Sequence, residues 1–456
     1  MAEYHVENFG CRASRSDGEA IAASLRSRGL DPAAGAETAD VVILNTCSVT
    51  ADADRSARAY VRRVKRQNPE ARVIVTGCYA QRAAEEVAAL DGVDAVAGNS
   101  HKALVPELAV KLARRVETAQ QLAREQTQGF VPLASLAPEI FVDDAFAHSE
   151  LAALPFAADA QQTRPNLKAQ DGCGNRCSFC IIPATRGPSR SVSLAQCVED
   201  ARCFADGGGQ ELVLSGINLG RWGRDLDPAQ RFEDLVEAIL MRTSLPRLRI
   251  SSVEPMDWSP ALLALYREFS AEPHPRLARH AHLPLQSGSD TILRHMHRRY
   301  RPWHYAERLA QIRALLPEAG IGADVMVGFP GETDALFAES YRFIEAQPFT
   351  YLHLFPFSAR PGTAAWELHR SDPVPGEAVQ ERMAALRALM AEKSARFREG
   401  FLGKELSVVT LQRDKAQDTP ALADNFVKVA IAGELAANRM LQVRVMGVEG
   451  EVLRAV

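Results

Sequence analysis

The chain predicts an α/β protein in three parts: an amino-terminal domain on a parallel sheet, a central full or partial (β/α) barrel, and a small carboxy-terminal β-barrel of OB-like type. Three observations carry this expectation. Apolar runs alternate with helical periods over most of the chain. Runs such as VVILN and VIVTG are apolar throughout, as strands covered on both faces require. After the long helical stretch ending in FLG, only short strand-like segments follow.

The elements follow in order. EYHVENFG, EAIAASLRSRG, DVVILNT, RSARAYVRRVKRQ, RVIVTG and a helix near Ala83–Leu90 give βαβαβ order and assign the parallel sheet to residues 1–115. Residues 116–162 are rich in Ala and Gln without a sustained period, and read as a linker with a docking segment. Between 163 and 398, strand candidates ELVLSG, RLRISSVEP, HLPLQSGS, ADVMVGFPGET and YLHLFPFS alternate with helices such as FEDLVEAILMR, ALLALYREFS and YAERLAQIRALLPEAG. Repeated βα units of this length predict a barrel whose loops present an active site at the strand carboxyl ends. The helix VQERMAALRALMAEKSARFREGFLG closes that part, and 399–456 reads as strands ELSVVTL, NFVKVAI, MLQVRVMG and EVLRAV.

Composition narrows the class. The 456 residues are 46% hydrophobic and 24% charged, enough for two or three domains with proper cores. MAEYHVENFGC alternates polar and charged residues where an export signal needs an apolar run, and no membrane element is evident. A cytoplasmic, reducing setting follows as the expectation, which disfavours a disulfide framework for the eight cysteines and favours metal or cluster ligation. The formal charge of -4 gives no global pull toward nucleic acid, so RNA binding would rest on local basic patches.

Six cysteines form two sets of three. Cys173, Cys177 and Cys180 are compact in QDGCGNRCSFC, whereas Cys11, Cys47 and Cys78 are dispersed, each directly after a predicted strand. Parallel strands share their carboxyl edge, so the dispersed three are expected to converge in one crevice. A lone cysteine is more often a small core hydrophobe, but three at equivalent positions reverse that judgement. Structural zinc wants four N/S ligands, and no fourth Cys or His follows the compact set at finger-like spacing. A three-thiolate set can hold an iron–sulfur cluster with one iron left open to a small molecule. Cys197 and Cys203 read as packing residues on a helix.

Two basic stretches are candidates for RNA contact. Arg55, Arg58, Arg62 and Arg66 fall along one face of a helix that also carries Arg63 and Lys65. RHMHRRYRPWHY, from Arg294, mixes cations with aromatics as single-stranded RNA contacts do. A basic helix face is more often only solvated surface. The tail after Phe401 holds equal numbers of basic and acidic residues, so its charge does not argue for RNA.

The CxxxCxxC loop with Phe179 and IIPATRG resembles the radical S-adenosylmethionine superfamily. NFGCRASRSDGEA, NTCSVTADAD, TGCYAQ, RISSVEP, HLPLQSGSD, MVGFPGET and FPFSARPGTAA narrow the likeness to its methylthiotransferases, over roughly Tyr4 to Arg398, with a tail similar to the RNA-binding TRAM domain. NTCSVTADAD, TGCYAQ and CSFCIIPATRGPSRS are most similar to the tRNA threonylcarbamoyladenosine methylthiotransferases. The resemblance implies a radical S-adenosylmethionine barrel, two 4Fe-4S clusters on the two cysteine sets, and two S-adenosylmethionine molecules, one giving the methyl group and one the 5'-deoxyadenosyl radical. It implies methylthiolation at C2 of the modified adenosine at position 37 of tRNA. It further implies an electron donor such as flavodoxin or ferredoxin, a sulfur donor, and Ser215, Gly216, Glu254, Gln286 and Gly328 as holders of S-adenosylmethionine.

Ser14 and Gly174 stand where that family usually has Asn, and ADNFVKV matches the TRAM pattern loosely. Siblings acting on isopentenyladenosine of tRNA or on an aspartate of a ribosomal protein would share every cysteine named. A cobalamin-dependent radical methylase would want a D-x-H-x-x-G loop, which the amino-terminal part lacks. An RNA-binding iron–sulfur protein without catalysis is the remaining alternative.

Overall fold

The computed structural model describes residues 2–10, 12–114, 138–146, 163–271, 273–413 and 418–456. Two compact units divide the chain: one gathers the described residues of Met1–Ala157 with Asp171–Asn175 and Cys180–Arg190, the other those of Ala158–Gln170, Arg176–Phe179 and Ser191–Val456.

The first unit is built on six parallel strands, β1 (Glu3–Asn8), β2 (Asp31–Pro32), β3 (Val41–Thr46), β4 (Arg72–Gly77), β5 (Ala95–Gly98) and β6 (Glu139–Phe141), in the order β2-β1-β3-β4-β5-β6. Every residue of β3 is buried, and its neighbours alternate between two cores. Val41 and Ile43 pack with Ile21, Leu25 and Ile74, while Val42 and Leu44 pack with Val61, Val64, Val73 and Val75. Helices on both faces therefore explain the uninterrupted apolar run, and each such side chain contributes roughly 1.5–3 kcal/mol by leaving water. Glu139–Phe141 lies within the stretch read as a linker and adds the edge strand beside β5.

The second unit holds the parallel strands β7 (Asn166–Asp171), β9 (Glu211–Gly216), β10 (Arg247–Ile250), β11 (His280–His282), β12 (Gly320–Val327) and β13 (Tyr351–Pro356), with the short β8 (Arg190–Ser191) at the edge. Single parallel bridges, Leu248 to Leu277 and Ser252 to His282, join β10 to β11. Among the described residues no pairing returns β13 to β7, so the strands form an open arc, a partial barrel. Three of its helices begin at serine or threonine caps: Ser193, Ser259 and Thr333 each accept from the backbone N–H three residues on.

Five strands, β14 (Glu405–Thr410), β15 (Thr419–Ala423), β16 (Lys428–Ile431), β17 (Met440–Glu449) and β18 (Val452–Ala455), close into a barrel in the order β14-β15-β16-β18-β17. It docks on the amino-terminal ends of the arc's strands through a buried charge network. Glu211, the first residue of β9, takes Arg249 at 2.7 and 3.1 Å and Arg164 at 2.6 Å. Arg249 also donates to the backbone oxygens of Asp424 and Ala423 at 2.9 and 3.0 Å, and Arg279 grips the Asp424 carboxylate. Gly320 admits this contact, since a Cβ there would lie 2.0 Å from the Asn425 carbonyl oxygen. The ADNFVKV segment, a loose match by sequence, is thus the docking loop.

Candidate active site

In the first unit the parallel register sets the site. Thr46 pairs with Gly77 at the ends of β3 and β4, so Cys47 and Cys78, the next residues of each strand, lie at adjacent carboxyl ends, and both are buried. Gly10, two residues past β1, lies against Cys47: a Cβ on it would fall 2.4 Å from Cys47 Cβ and 2.8 Å from Sγ, and its φ is +111°. Cys11 lies outside the described residues.

Polar side chains that sequence reasoning missed knit this edge together. Asn99 donates from Nδ2 to Cys78 Sγ at 3.4 Å and to the Thr185 carbonyl at 2.7 Å, tying the end of β4 to the segment that follows Cys180. Arg186, fully buried, holds both oxygens of Asp171 at 2.9 and 3.0 Å, Asp17 at 3.1 Å and Ser14 Oγ at 3.3 Å. Lys102 reaches the same Asp17 carboxylate at 2.6 Å. Ser14, one of the departures from the family pattern, therefore receives an arginine from the cysteine loop's flank. Gly172 starts that loop with φ +71°, and a Cβ there would sit 1.9 Å from the Pro188 carbonyl oxygen. Cys173 N–H donates to the Gly187 carbonyl at 3.1 Å, and Asn175 N–H points at Cys173 Sγ at 3.4 Å.

In the second unit, Ser178 anchors the loop by donating from N to the Met296 carbonyl at 3.2 Å and from Oγ to the His295 carbonyl at 2.7 Å. Phe179 packs on Ile292, Met296, Met326 and Phe329. Arg298 donates from Nη1 to Cys177 Sγ at 3.3 Å, from Nε to Tyr300 Oη at 3.1 Å, and from Nη2 to the Glu254 carboxylate. Burial alone would weaken its hold on the proton, but Tyr300, Glu254 and Cys177 outweigh it and keep the guanidinium charged.

The other candidate residues take varied places. Ser215 and Gly216 end β9; Ser215 Oγ is 3.4 Å from the Leu167 carbonyl, and Gly216 leaves room for Gln170. Gln286 sits at φ +65° with a buried Oε1 that has no partner among the described residues. Gly328, at φ +79°, donates to Glu332 at 3.1 Å. Cysteine sulfurs with N–H groups directed at them, as at Cys78, at Cys173 and at Cys177, are the kind of ligand iron–sulfur clusters take, so each of these residues fits such a group.

The basic stretches divide. Arg55 pairs with Asp52, and Arg58 is held by Tyr79 Oη at 2.8 Å and Glu86 at 3.0 Å, whereas Arg62 and Arg66 are exposed. In RHMHRRYRPWHY, Tyr300 and Tyr305 are buried and donate to carbonyls of Leu285 and Leu283, and Arg298 turns inward. Trp303, at 57% exposure, is the aromatic left to solvent there. Cys197 is a packing residue, its thiol pKa pushed up by burial, but Cys203 faces solvent rather than the core.

Comparison with known proteins agrees with this geometry. Residues 3–98 match the family described as uncharacterized protein family UPF0004, and residues 167–344 match the radical SAM superfamily. Fold and thiol loop together define a radical S-adenosylmethionine enzyme, a class that uses S-adenosylmethionine with a 4Fe-4S cluster. The threonylcarbamoyladenosine tRNA methylthiotransferase MtaB of Bacillus subtilis is 31% identical, covering 100% of this chain and 97% of its own. Its Aquifex aeolicus namesake is 32% identical over 96% and 98%. A tRNA-2-methylthio-N(6)-dimethylallyladenosine synthase of Geobacter metallireducens is 31% identical over 91% and 88%. This chain belongs to the radical S-adenosylmethionine methylthiotransferase family and is a tRNA methylthiotransferase. Among solved structures, the radical S-adenosylmethionine methyltransferase TsrM of Kitasatospora setae, with cobalamin and a [4Fe-4S] cluster bound, shares the fold at TM-score 0.54 and 14% identity over 80% of this chain and 77% of its own.

Proposed function

We propose that this enzyme transfers a methylthio group to C2 of N6-threonylcarbamoyladenosine at position 37 of tRNA, using two S-adenosylmethionine molecules and two 4Fe-4S clusters. The observation that carries the substrate is the name borne by relatives matching nearly the whole chain, at 31% and 32% identity. The adenine C2–H is strong and not acidic, so no side-chain base can remove it. A cluster with an open iron and bound S-adenosylmethionine supplies a carbon radical able to abstract that hydrogen.

The chain's own residues hold, orient and shield. Cys173, Cys177 and Cys180 are the thiolates for one cluster; Cys47 and Cys78, with Cys11, are those for the other. Arg298 holds its positive charge against the Cys177 sulfur and orients Glu254, while Asn99 fixes Cys78 against the backbone of Thr185. Ser215, Gly216, Glu254, Gln286 and Gly328, at or just beyond the carboxyl ends of the arc's strands, are the residues for S-adenosylmethionine. Arg62 and Arg66 offer phosphate contacts, with Arg55 and Arg58 re-pairing on contact, and the closed five-stranded barrel offers an RNA surface of TRAM type. An electron donor such as flavodoxin or ferredoxin and a sulfur donor complete the cycle. No described helix is long and apolar enough to cross a membrane, in keeping with work on cytoplasmic tRNA.

Isopentenyladenosine is the second reading, favoured by the Geobacter metallireducens relative at the same 31% identity. Mass spectrometry of tRNA nucleosides from cells lacking this protein tests both. Loss of the 2-methylthio form of threonylcarbamoyladenosine, with its precursor retained, is the expected result. Loss of the isopentenyl form instead selects the second reading, and an unchanged profile rejects both.

A further inference from the structure

Apart from the thiols, a set of side chains with atoms able to ligate a metal lies on three neighbouring strands of the arc. His282 ends β11, Asp324 lies within β12 and His353 within β13, with one ligand atom from each inside 4.8 Å of the others. The register explains the meeting. Asp324 pairs with His353, and Gly322, two residues before Asp324, pairs with His282, so all three project from the same face. Ser252, two residues past β10, bridges to His282, the last residue of β11, while Asp324 and His353 lie mid-strand in β12 and β13.

The distances suit a cation. Asp324 Oδ1 is 3.4 Å from His282 Nε2 and 3.2 Å from His353 Nδ1. Ligands about 2.0–2.1 Å from a tetrahedral metal stand roughly 3.3–3.4 Å apart, so both spacings match. His282 is buried, its side chain 6% exposed, and its Nε2 faces Asp324 Oδ1, so the ring is aimed into the cluster. Its other nitrogen, Nδ1, lies 2.7 Å from Ser252 Oγ. With the Nδ1 proton donated to Ser252, the Nε2 lone pair points into the cluster, the tautomer that a metal-bound histidine takes. Tyr351 is not a ligand, because its hydroxyl is engaged with His280 Nε2 at 2.7 Å.

We propose that His282, Asp324 and His353 bind one first-row divalent cation of the zinc class. Two imidazoles and a carboxylate select such an ion over calcium or magnesium, which take oxygen ligands. Three protein ligands leave a fourth coordination position, and His353, 55% exposed, puts that position in reach of solvent or a substrate group.

The test uses the full chain with its iron–sulfur sites already loaded, so that thiolates do not capture the probe. One equivalent of zinc is added, the protein is passed through gel filtration, and zinc and iron are counted by mass spectrometry. About one zinc per chain is expected, with iron unchanged. Asp324→Asn and His353→Ala should lose it, and Ser252→Ala should weaken binding about 10–100-fold in a chelator competition. His353 is exposed, so its alanine variant keeps the fold, which circular dichroism checks. No retained zinc in the iron-loaded chain, or equal zinc in His353→Ala and Asp324→Asn, overturns the assignment.

Discussion

Replacing Arg298 by Met keeps the length of the stem and removes the cation that touches Cys177. The guanidinium lies 3.3 Å from Cys177 Sγ and is 6% exposed, so water does not replace the lost donor. A hydrogen bond to a charged group contributes about 1.5–3 kcal/mol. If half of that separates the reduced cluster from the oxidised one, about 0.75–1.5 kcal/mol is lost on the reduced side. At 59 mV per 1.36 kcal/mol for one electron, the midpoint potential falls by roughly 30–65 mV. The assay is a potentiometric titration followed by electron paramagnetic resonance, in a chain carrying Cys47→Ala and Cys78→Ala so that only the compact set is loaded. Arg298→Lys keeps the charge but loses the fork that serves Glu254 and Tyr300, and should move the potential by about half as much. A potential that stays put or rises in Arg298→Met, at full iron content, would show that this guanidinium does not act on the sulfur.

Gly10→Ala should strip iron from the dispersed set alone, because its Cβ would fall 2.4 Å from Cys47 Cβ at a φ of +111°; roughly half the iron of the reconstituted protein is lost if each set holds one four-iron cluster. Glu211→Gln leaves Arg247 and Arg249 buried without their counter-charge, at a cost of about 3–5 kcal/mol. Calorimetry should then show the second unit melting roughly 6–20 °C lower, and an unchanged melting point refutes the network's role. Glu211 also sets an acid dependence. Burial pushes its pKa up, but Arg249, Arg164 and Arg247 outweigh that and hold it well below the carboxylate range. A depressed pKa gives stability that is complete above about pH 4.3, the ordinary value for Glu, and drains as pH falls below it. The wild-type melting point should therefore drop more steeply below that pH than the Glu211→Gln variant's.

Local signals carried the scaffold. β3 and β4 could be read because burial on both faces leaves a continuous apolar run, and Cys47 and Cys78 because each ends such a run. Glu139–Phe141 could not: three residues are too few to show a period, and only β5 makes them a strand. Tyr300 and Tyr305 misled for a related reason. Among arginines they resemble a stacking surface for bases, yet both are buried and their hydroxyls are held by backbone carbonyls just past β11.

The residues that hold the site in place were set by contacts across long sequence distances. Asn99 lies 86 positions from Thr185, and Arg298 lies 121 from Cys177. A polar side chain carries no local mark of a partner that far away, because its burial depends on the fold having already formed. Cysteine spacing and strand pattern were enough to announce cysteines at strand ends and a family of radical enzymes. Which arginine would charge a given sulfur, which asparagine would lock a strand end, and that two histidines and an aspartate would meet on β11, β12 and β13 followed only from register and packing, since these place side chains by where neighbouring strands lie and not by their order along the chain.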